Sequence, residues 1–201
     1  MSHLRPRQVS VTVRGLGALM AMNREAISQQ MRTTIPRCIG QFVCAPAERP
    51  EPWKADDIAV WRIACKCGGR FGSFLGYPLS RYNTDYSGSE FVGPLGYECA
   101  KCGQVTEILD TNQHGYHAEA CASSTKICGE GPREAFACPS CAGKNFEVLS
   151  SFFFWPASID LVEDEPDEFE SRAQDLFCEF VAHGRCQGCG TVARFTDFGK
   201  L

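Results

Sequence analysis

The sequence has no run of 18 apolar residues and no N-terminal apolar stretch followed by a small-residue cleavage site. The first absence argues against a membrane-spanning helix, and the second argues against an exported protein. We therefore expect a cytoplasmic protein with no membrane partner. In that reducing compartment cysteines are more often metal ligands than disulfides.

Cysteine is the residue type that the chain has in excess, with 13 among 201 residues. This share lies below the level that would by itself indicate a disulfide-rich scaffold. Hydrophobic residues make up 44% of the chain, which is enough for one domain or two small ones.

Eight of the cysteines form four close pairs, and the pairs occur in an internal repeat. Each unit opens with one pair, continues with an aromatic-rich run that ends in an aromatic residue and proline, and closes with a second pair. An aspartate follows the last cysteine of each unit by eight residues. The first unit spans about 61–111 and the second about 136–198. The pairs are Cys65/Cys67 and Cys99/Cys102 in the first unit, and Cys138/Cys141 and Cys186/Cys189 in the second.

Two cysteines separated by one or two residues can bind one ion from a tight turn, and two such turns complete a tetrahedron of thiolates. We therefore predict two structural Zn²⁺ ions, with each unit supplying its own four ligands. Iron is the alternative metal, since four cysteines can also hold it. A cross-braced arrangement, in which Cys65/Cys67 would share an ion with Cys138/Cys141, is the alternative pairing.

Three of these turns resemble those of the zinc-ribbon class. Through the repeat, the resemblance covers about two thirds of the chain. It implies cysteine knuckles on short antiparallel strands. The pair Cys65/Cys67 departs from the pattern by one residue, and the loops between pairs, of 31 and 44 residues, are longer than in a compact ribbon. The resemblance rests on Cys99-Ala100-Lys101-Cys102-Gly103, Cys138-Pro139-Ser140-Cys141-Ala142-Gly143 and Cys186-Gln187-Gly188-Cys189-Gly190.

The composition of the short segments predicts a mainly β fold, with two zinc-ribbon-like units of short antiparallel strands. Helix is scarce, and the best candidates are His117–Lys126 and Glu168–Asp175. The predicted strands are Val60–Ala64, Phe71–Tyr77, Val105–Leu109, Phe146–Phe154, Leu176–Ala182 and Thr191–Phe195.

The chain divides into a basic N-terminal arm with a Pro-rich linker at 1–52, a first unit at 53–130 and a second unit at 131–201. The arm could form one short helix within Leu16–Met31, and we expect it to be flexible or weakly docked. The repeat also predicts that the units pack about a pseudo-twofold axis. This packing would bury Trp61, Phe71, Phe136, Phe146 and Phe153.

A third cluster between the units contains His114, His117, Cys121 and Cys128. It could hold another zinc ion or provide a cysteine–histidine nucleophile and base. The alternative is that the histidines are surface or hydrogen-bonding groups, because the spacing is irregular. We expect no enzyme, because closed four-cysteine sites leave no open position and no further catalytic motif is present. The remaining cysteines are Cys38, Cys44 and Cys178, of which Cys178 falls on the apolar side of a predicted strand.

The charge distribution indicates the kind of partner. Residues 1–54 carry a net charge of +5 and residues 55–201 a net charge of −9. The segment Asp160–Glu179 holds nine acidic residues and one arginine. It is either a solvated loop or an acidic surface for a basic protein, as an inhibitor or immunity protein of a toxin would present. A nucleic-acid-binding ribbon module is the alternative, which the basic arm favours and the acidic body opposes.

Overall fold

The structure, a computed structural model, describes residues 24–48, 57–118, 127–154 and 172–200. This part of the chain forms two helices, α1 and α2, and ten strands, β1 to β10, so the mainly β prediction is confirmed. Neither described helix is long and apolar enough to cross a membrane. The bounds are α1 Arg24–Thr33, β1 Val43–Pro46, β2 Ile58–Ala64, β3 Gly72–Pro78, β4 Phe91–Cys99, β5 Val105–Leu109, α2 Thr111–His114, β6 Tyr116–Ala118, β7 Glu134–Ala135, β8 Phe146–Phe153, β9 Glu179–Cys186 and β10 Val192–Lys200.

Both predicted helices and the start of one predicted strand differ from the structure. The predicted helix His117–Lys126 is wrong at its start, because His117 and Ala118 lie in β6 and pair with β10; residues 119–126 lie outside the described part. Of the predicted helix Glu168–Asp175, the described end contains only the 3₁₀ turn Ala173–Asp175. The strand predicted at Leu176–Ala182 begins three residues later, at Glu179, and continues to Cys186.

The ten strands form one curled antiparallel sheet that consists of two half-sheets. The larger half-sheet has the order β1-β2-β8-β9-β10-β6, and the smaller has the order β5-β4-β3-β7. They are joined where Gly72 of β3 pairs with Phe146 of β8. In each unit the three strands after the first cysteine pair form a meander, β3-β4-β5 in one and β8-β9-β10 in the other.

The strands that lead into the two meanders are exchanged between them. Strand β2 precedes the cysteine pair of the first unit but pairs with β8 of the second. Strand β7 precedes the cysteine pair of the second unit but pairs with β3 of the first. Each unit therefore completes the sheet of the other. The division of the chain at residue 130 and the internal repeat remain predictions.

An aromatic cluster joins the two half-sheets. The ring of Phe195 in β10 lies 4.4 Å from the ring of Phe74, 4.7 Å from that of Phe136 and 5.0 Å from that of Phe146, measured between centroids. The Thr196 hydroxyl donates a hydrogen bond of 2.8 Å to the carbonyl of Phe91 in β4. Side chains from both units therefore share one continuous core.

Of the five aromatic residues expected in the interface, Trp61, Phe136 and Phe146 are buried. Phe71 and Phe153 are only partly buried. Phe71 lies before β3, where its carbonyl accepts a hydrogen bond from the amide of Ala100. Phe153 lies on the opposite face of β8 from the buried Phe152, because successive side chains of a strand alternate.

The described part of the N-terminal segment is integrated into the core, so the expectation of a weakly docked arm is wrong for residues 24–46. Ile27 and Met31, one turn apart on α1, are 0% and 1% exposed. The ring of Phe42 packs edge-on against Tyr97, with centroids 5.8 Å apart. The Arg37 guanidinium donates two hydrogen bonds, of 2.9 and 2.7 Å, to the Asp175 carboxylate.

Replacing Ile27 by alanine is expected to lower the free energy of unfolding by about 2–5 kcal/mol, because it leaves a cavity beneath α1. Chemical denaturation of the metal-loaded protein would measure this change. Gln29 is exposed on the same helix, so Gln29→Ala is the matched control and should change stability little. Equal stabilities of the two variants would show that α1 is not part of the cooperative core.

Candidate metal centres

Three of the four cysteine pairs lie in turns that are closed by the same two backbone hydrogen bonds. At Cys186 the amide donates to the carbonyl of Thr191, and the carbonyl accepts from the amide of Gly190, each bond being 2.9 Å long. These bonds fold the chain back so that the second cysteine faces the first. In the second turn, the Cys99 amide donates to the Gln104 carbonyl and the Gly103 amide donates to the Cys99 carbonyl. In the third, the Cys138 amide donates to the Gly143 carbonyl and the Ala142 amide donates to the Cys138 carbonyl.

The shorter turn at Cys65 closes in the same way with one residue fewer. The Cys65 amide donates a hydrogen bond of 2.9 Å to the Gly69 carbonyl, and the Cys65 carbonyl accepts one of 2.8 Å from the Gly68 amide. Gly68 has a φ of 80°, a conformation that glycine adopts without steric cost. The departure of Cys65/Cys67 from the ribbon pattern therefore leaves a complete turn. Ala142, with a φ of 58°, is the one non-glycine residue that the described structure holds at positive φ.

The sulfur atoms of the eight cysteines come together in two groups of four. Centre 1 consists of Cys65, Cys67, Cys99 and Cys102, and centre 2 of Cys138, Cys141, Cys186 and Cys189. Within each group the sulfur atoms all lie within 4.8 Å of one another. Each group combines the two pairs of one unit, so the cysteines are not arranged in the cross-braced way.

The distances between sulfur atoms fit a tetrahedral ion. The contacts Cys65–Cys102 and Cys67–Cys99 measure 3.7 and 3.6 Å in centre 1, and their counterparts in centre 2 measure 3.6 and 3.5 Å. Zinc–sulfur bonds of ~2.3 Å give a tetrahedron with edges of ~3.8 Å, whereas a disulfide would need ~2.05 Å. Each group could therefore hold one metal ion, and no disulfide occurs among the described cysteines.

Backbone amides point at the second sulfur of every pair. Each of these sulfurs accepts a hydrogen bond from the amide two residues further on, as Cys67 does from Gly69. Amide donors of this kind stabilise a thiolate, which is the form that binds metal. The other three bonds are Gln104 to Cys102, Gly143 to Cys141 and Thr191 to Cys189.

The pKa values of the metal-free thiols diverge within each centre. The Gly69 amide lowers the pKa of Cys67 to about 7, and the Thr191 hydroxyl and amide lower that of Cys189 to about 6. At Cys141 the Gly143 amide also lowers the pKa, but the neighbouring thiols and burial outweigh it and raise the pKa to about 12. Once one thiolate forms, it opposes a second charge nearby. A divalent cation would remove that conflict.

The two centres flank the junction of the half-sheets. Cys99, Gly72, Phe146 and Cys186 form one row of paired residues across β4, β3, β8 and β9. Three strand spacings of ~4.8 Å place the ends of this row ~14 Å apart. The first cysteine of each pair is buried and the second is exposed. An ion at either centre would therefore join core strands to a surface turn.

The predicted third cluster is only partly described. The Nδ1 atom of His114 accepts a hydrogen bond of 2.9 Å from the amide of Asp110. The sulfur of Cys128 lies 3.7 Å from the side-chain nitrogen of Asn112. Cys121 and the side chain of His117 lie outside the described residues, so a third zinc site remains untested. Centres 1 and 2 are the two metal-compatible groups in the part of the chain that was described.

The remaining described cysteines have structural surroundings. Cys38 is buried in the core, and Cys44 and Cys178 are partly buried. The Cys178 sulfur lies 3.4 Å from the carbonyl of Phe153, so this residue packs just before β9 rather than inside a strand.

One contact at centre 2 was not predicted from the sequence. The Thr191 hydroxyl lies 3.3 Å from the Cys189 sulfur and 3.2 Å from the Ser140 hydroxyl. Its signal in the sequence is a hydroxyl residue that directly follows the knuckle glycine.

Comparison of the chain with models of protein families, with curated proteins and with solved structures finds no match. The centres are therefore interpreted from their own geometry.

Proposed function

We propose that this chain is a non-enzymatic zinc protein in which two structural ions hold a rigid scaffold for binding a protein partner. The observation that carries the proposal is the pair of four-sulfur groups with tetrahedral spacing. In each group all four positions around an ion would be filled by protein sulfurs. A catalytic zinc site keeps one position open for water or substrate, so these centres fit a structural role.

The donor set supports zinc. Four thiolates with backbone amide donors suit a borderline-soft, redox-inactive dication, and zinc is the usual occupant of such turns. When bound, the ion supplies folding free energy, because no preformed site exists in the unfolded chain. The residues of this chain contribute the sulfurs, the turns that aim them and the amides that stabilise their charge.

Elemental analysis of protein purified without added metal or a histidine tag tests this role. We expect two zinc ions per chain. Iron would redirect the function towards redox chemistry, and metal-free, folded protein would overturn the proposal.

The proposed partner is a basic protein that binds the acidic segment Asp160–Glu179. Nine carboxylates with one arginine form a strong negative charge, which accelerates association with a positive surface. The described end of this segment engages the chain itself, since Asp175 pairs with Arg37. The charge that we propose a partner recognises therefore comes from the acids at 160–170 in the sequence. An inhibitor of a basic, nucleic-acid-acting or toxin protein is one form that this function would take.

Neutralising the six acids Asp160, Glu163, Asp164, Glu165, Asp167 and Glu168 to their amides tests the partner. A basic protein should bind the original chain at low salt and be lost in the variant. Exposed acids elsewhere provide the control, and Glu48→Gln with Glu130→Gln should leave binding intact. Equal binding by both variants would show that the acidic segment does not contact the partner.

A second candidate, nucleic-acid binding, is favoured by the charges on the knuckles. Within the described chain, each knuckle bears or adjoins one basic residue with no carboxylate at ion-pair distance: Lys66, Lys101, Lys144 and Arg185. Arginines elsewhere are paired, as in Arg37–Asp175, Arg81–Glu134, Arg133–Glu107 and Arg194–Glu90. Two zinc–thiolate centres would carry a charge of −2 each and offset these cations.

If phosphates bind here, Arg185→Gln should weaken binding and lower its salt dependence by about one counterion.

A further inference from the structure

Centres 1 and 2 have the same backbone hydrogen bonds but different surroundings. The space beside the sulfurs differs at two equivalent glycines, Gly69 and Gly143. The carbonyls of these glycines close the first turn of each centre. A Cβ placed on Gly69 would lie 2.5 Å from the Cys99 sulfur and 3.1 Å from the Cβ of Lys101. At Gly143 the corresponding distances to the sulfurs of Cys141 and Cys186 are 3.3 and 3.4 Å. The sulfurs of centre 1 are therefore more tightly enclosed.

Centre 1 is also fixed from two sides. The Lys101 ammonium donates a hydrogen bond of 3.0 Å to the carbonyl of Cys67, which ties the tips of its two turns together. Beneath it, the fully buried ring of Tyr97 packs on Gly72, the partner of Cys99 in the sheet. Phe42 of the N-terminal segment holds that ring in place. A ligand of centre 1 has little room to swing away from its ion.

Centre 2 has a hydroxyl group beside its exposed ligand Cys189. Thr191 lies between the sulfur of Cys189 and the hydroxyl of Ser140, at 3.3 and 3.2 Å. In the metal-free thiol, Cys189 donates to the Thr191 hydroxyl, which donates to Ser140. A Cys189 thiolate can only accept, so the Thr191 hydroxyl would rotate to donate to the sulfur and accept from Ser140. Gly188 leaves further space, since a Cβ there would be 3.7 and 3.9 Å from the two nearest sulfurs. In the described contacts of centre 1, no hydroxyl touches a sulfur.

We propose that centre 2 exchanges its ion with free metal much faster than centre 1, so that the protein has one permanent and one exchangeable thiophilic dication. The inference rests on the proposed zinc function and adds a response to metal supply. Thr191 is the positioning residue, because its hydroxyl stabilises the Cys189 thiolate when that sulfur leaves the ion.

The exchange step involves no redox change. If centre 2 holds an ion, its bond to Cys189 would break with both electrons remaining on sulfur, and the Thr191 hydroxyl would donate to the resulting thiolate. An incoming dication would bind this sulfur, and Cys138, Cys141 and Cys186 would then pass from the departing ion to the new one. A thiolate that accepts a hydrogen bond donates less charge to the metal and is the easier ligand to release.

Incubation of the two-zinc protein with excess ¹¹³Cd²⁺ tests the inference. Cadmium replaces each zinc ion that leaves, so both centres stay occupied and the protein stays folded during the measurement. Native mass spectrometry should show a mixed zinc–cadmium species that accumulates before the two-cadmium species, with rate constants that differ by at least about tenfold. Cadmium NMR of the mixed species should show one resonance. Thr191→Val should shift that resonance and slow the first exchange several-fold, whereas Thr191→Ser should restore both.

The direction of the Thr191→Val effect separates positioning from a merely structural role, because a loosened turn would exchange faster. Gln104 ends the equivalent turn of centre 1, so Gln104→Leu is the matched control and should leave the first exchange unchanged. A single rate constant for both ions, or faster exchange in Thr191→Val, would overturn the inference while the zinc scaffold stands. Protein that contains no metal would instead remove the proposed function itself.

Discussion

Replacing Cys189 by serine is expected to remove one zinc ion per chain and to unfold the whole molecule rather than one half. Zinc binding contributes on the order of 10 kcal/mol or more per site in small zinc domains. A typical domain has a net stability of only about 5–15 kcal/mol. The loss of one ion therefore removes most or all of the stability of the fold.

The exchanged strands explain why the damage should spread. Centre 2 fixes the start of β8 through the turn at Cys138 and the end of β9 at Cys186. Strand β8 is the partner of β2, which leads into centre 1. Strand β7, which leads into centre 2, pairs with β3 of the first meander. Loosening either centre thus removes a paired strand from the opposite half-sheet.

Zinc content and thermal unfolding would measure the effect, and Cys128→Ser is the control. Cys128 lies outside both centres, so its serine variant should keep two ions and the original melting temperature. A Cys189→Ser protein with two ions and unchanged stability would contradict the structural role. A Cys128→Ser protein that loses an ion would instead reveal a third site.

The candidate centres could be predicted from the sequence because their information is local. A cysteine pair followed by glycine specifies its own turn, and the two pairs of a unit need only a hairpin between them to meet. The closing bonds at Cys65 and Cys186 show how little the exact length of the turn matters. The Thr191 contact was not predicted, because a hydroxyl beside a knuckle has no unique partner until the opposite turn is placed.

The sheet was harder to predict because its signals are not local. Strand β4 was missed, since Gly93, Pro94 and Gly96 interrupt its apolar residues; glycine and proline normally argue against a strand. The exchange of β2 and β7 has no local signature at all, because either strand could pair within its own unit. The apolar positions Ile27 and Met31 were overlooked within a basic segment whose charges suggested weak docking.

Replacing Gly69 by alanine is expected to weaken metal binding at centre 1 much more than at centre 2, with both ions still bound when zinc is in excess. The new Cβ would lie 2.5 Å from the Cys99 sulfur and 3.3 Å from the Cys67 sulfur, so a ligand or the backbone must move. The backbone cannot move freely, because the Gly69 carbonyl accepts from the amide of Cys65 and its amide donates to Cys67. Disturbed surroundings of metal ligands lower affinity by about 10–100-fold, and a direct clash with a ligand should exceed that range.

Gly143→Ala provides the matched control at centre 2. Its Cβ would lie 3.3 and 3.4 Å from the nearest sulfurs, so a shift of a few tenths of an ångström accommodates it. Neither glycine has a positive φ, so neither variant places alanine in the left-handed region. The space beside the sulfurs is the difference that the pair of variants tests. Competition with a chelator should show one weakened ion in Gly69→Ala and two nearly unchanged ions in Gly143→Ala. Equal affinities in the two variants would mean that the tight enclosure of centre 1 does not control how it holds its metal.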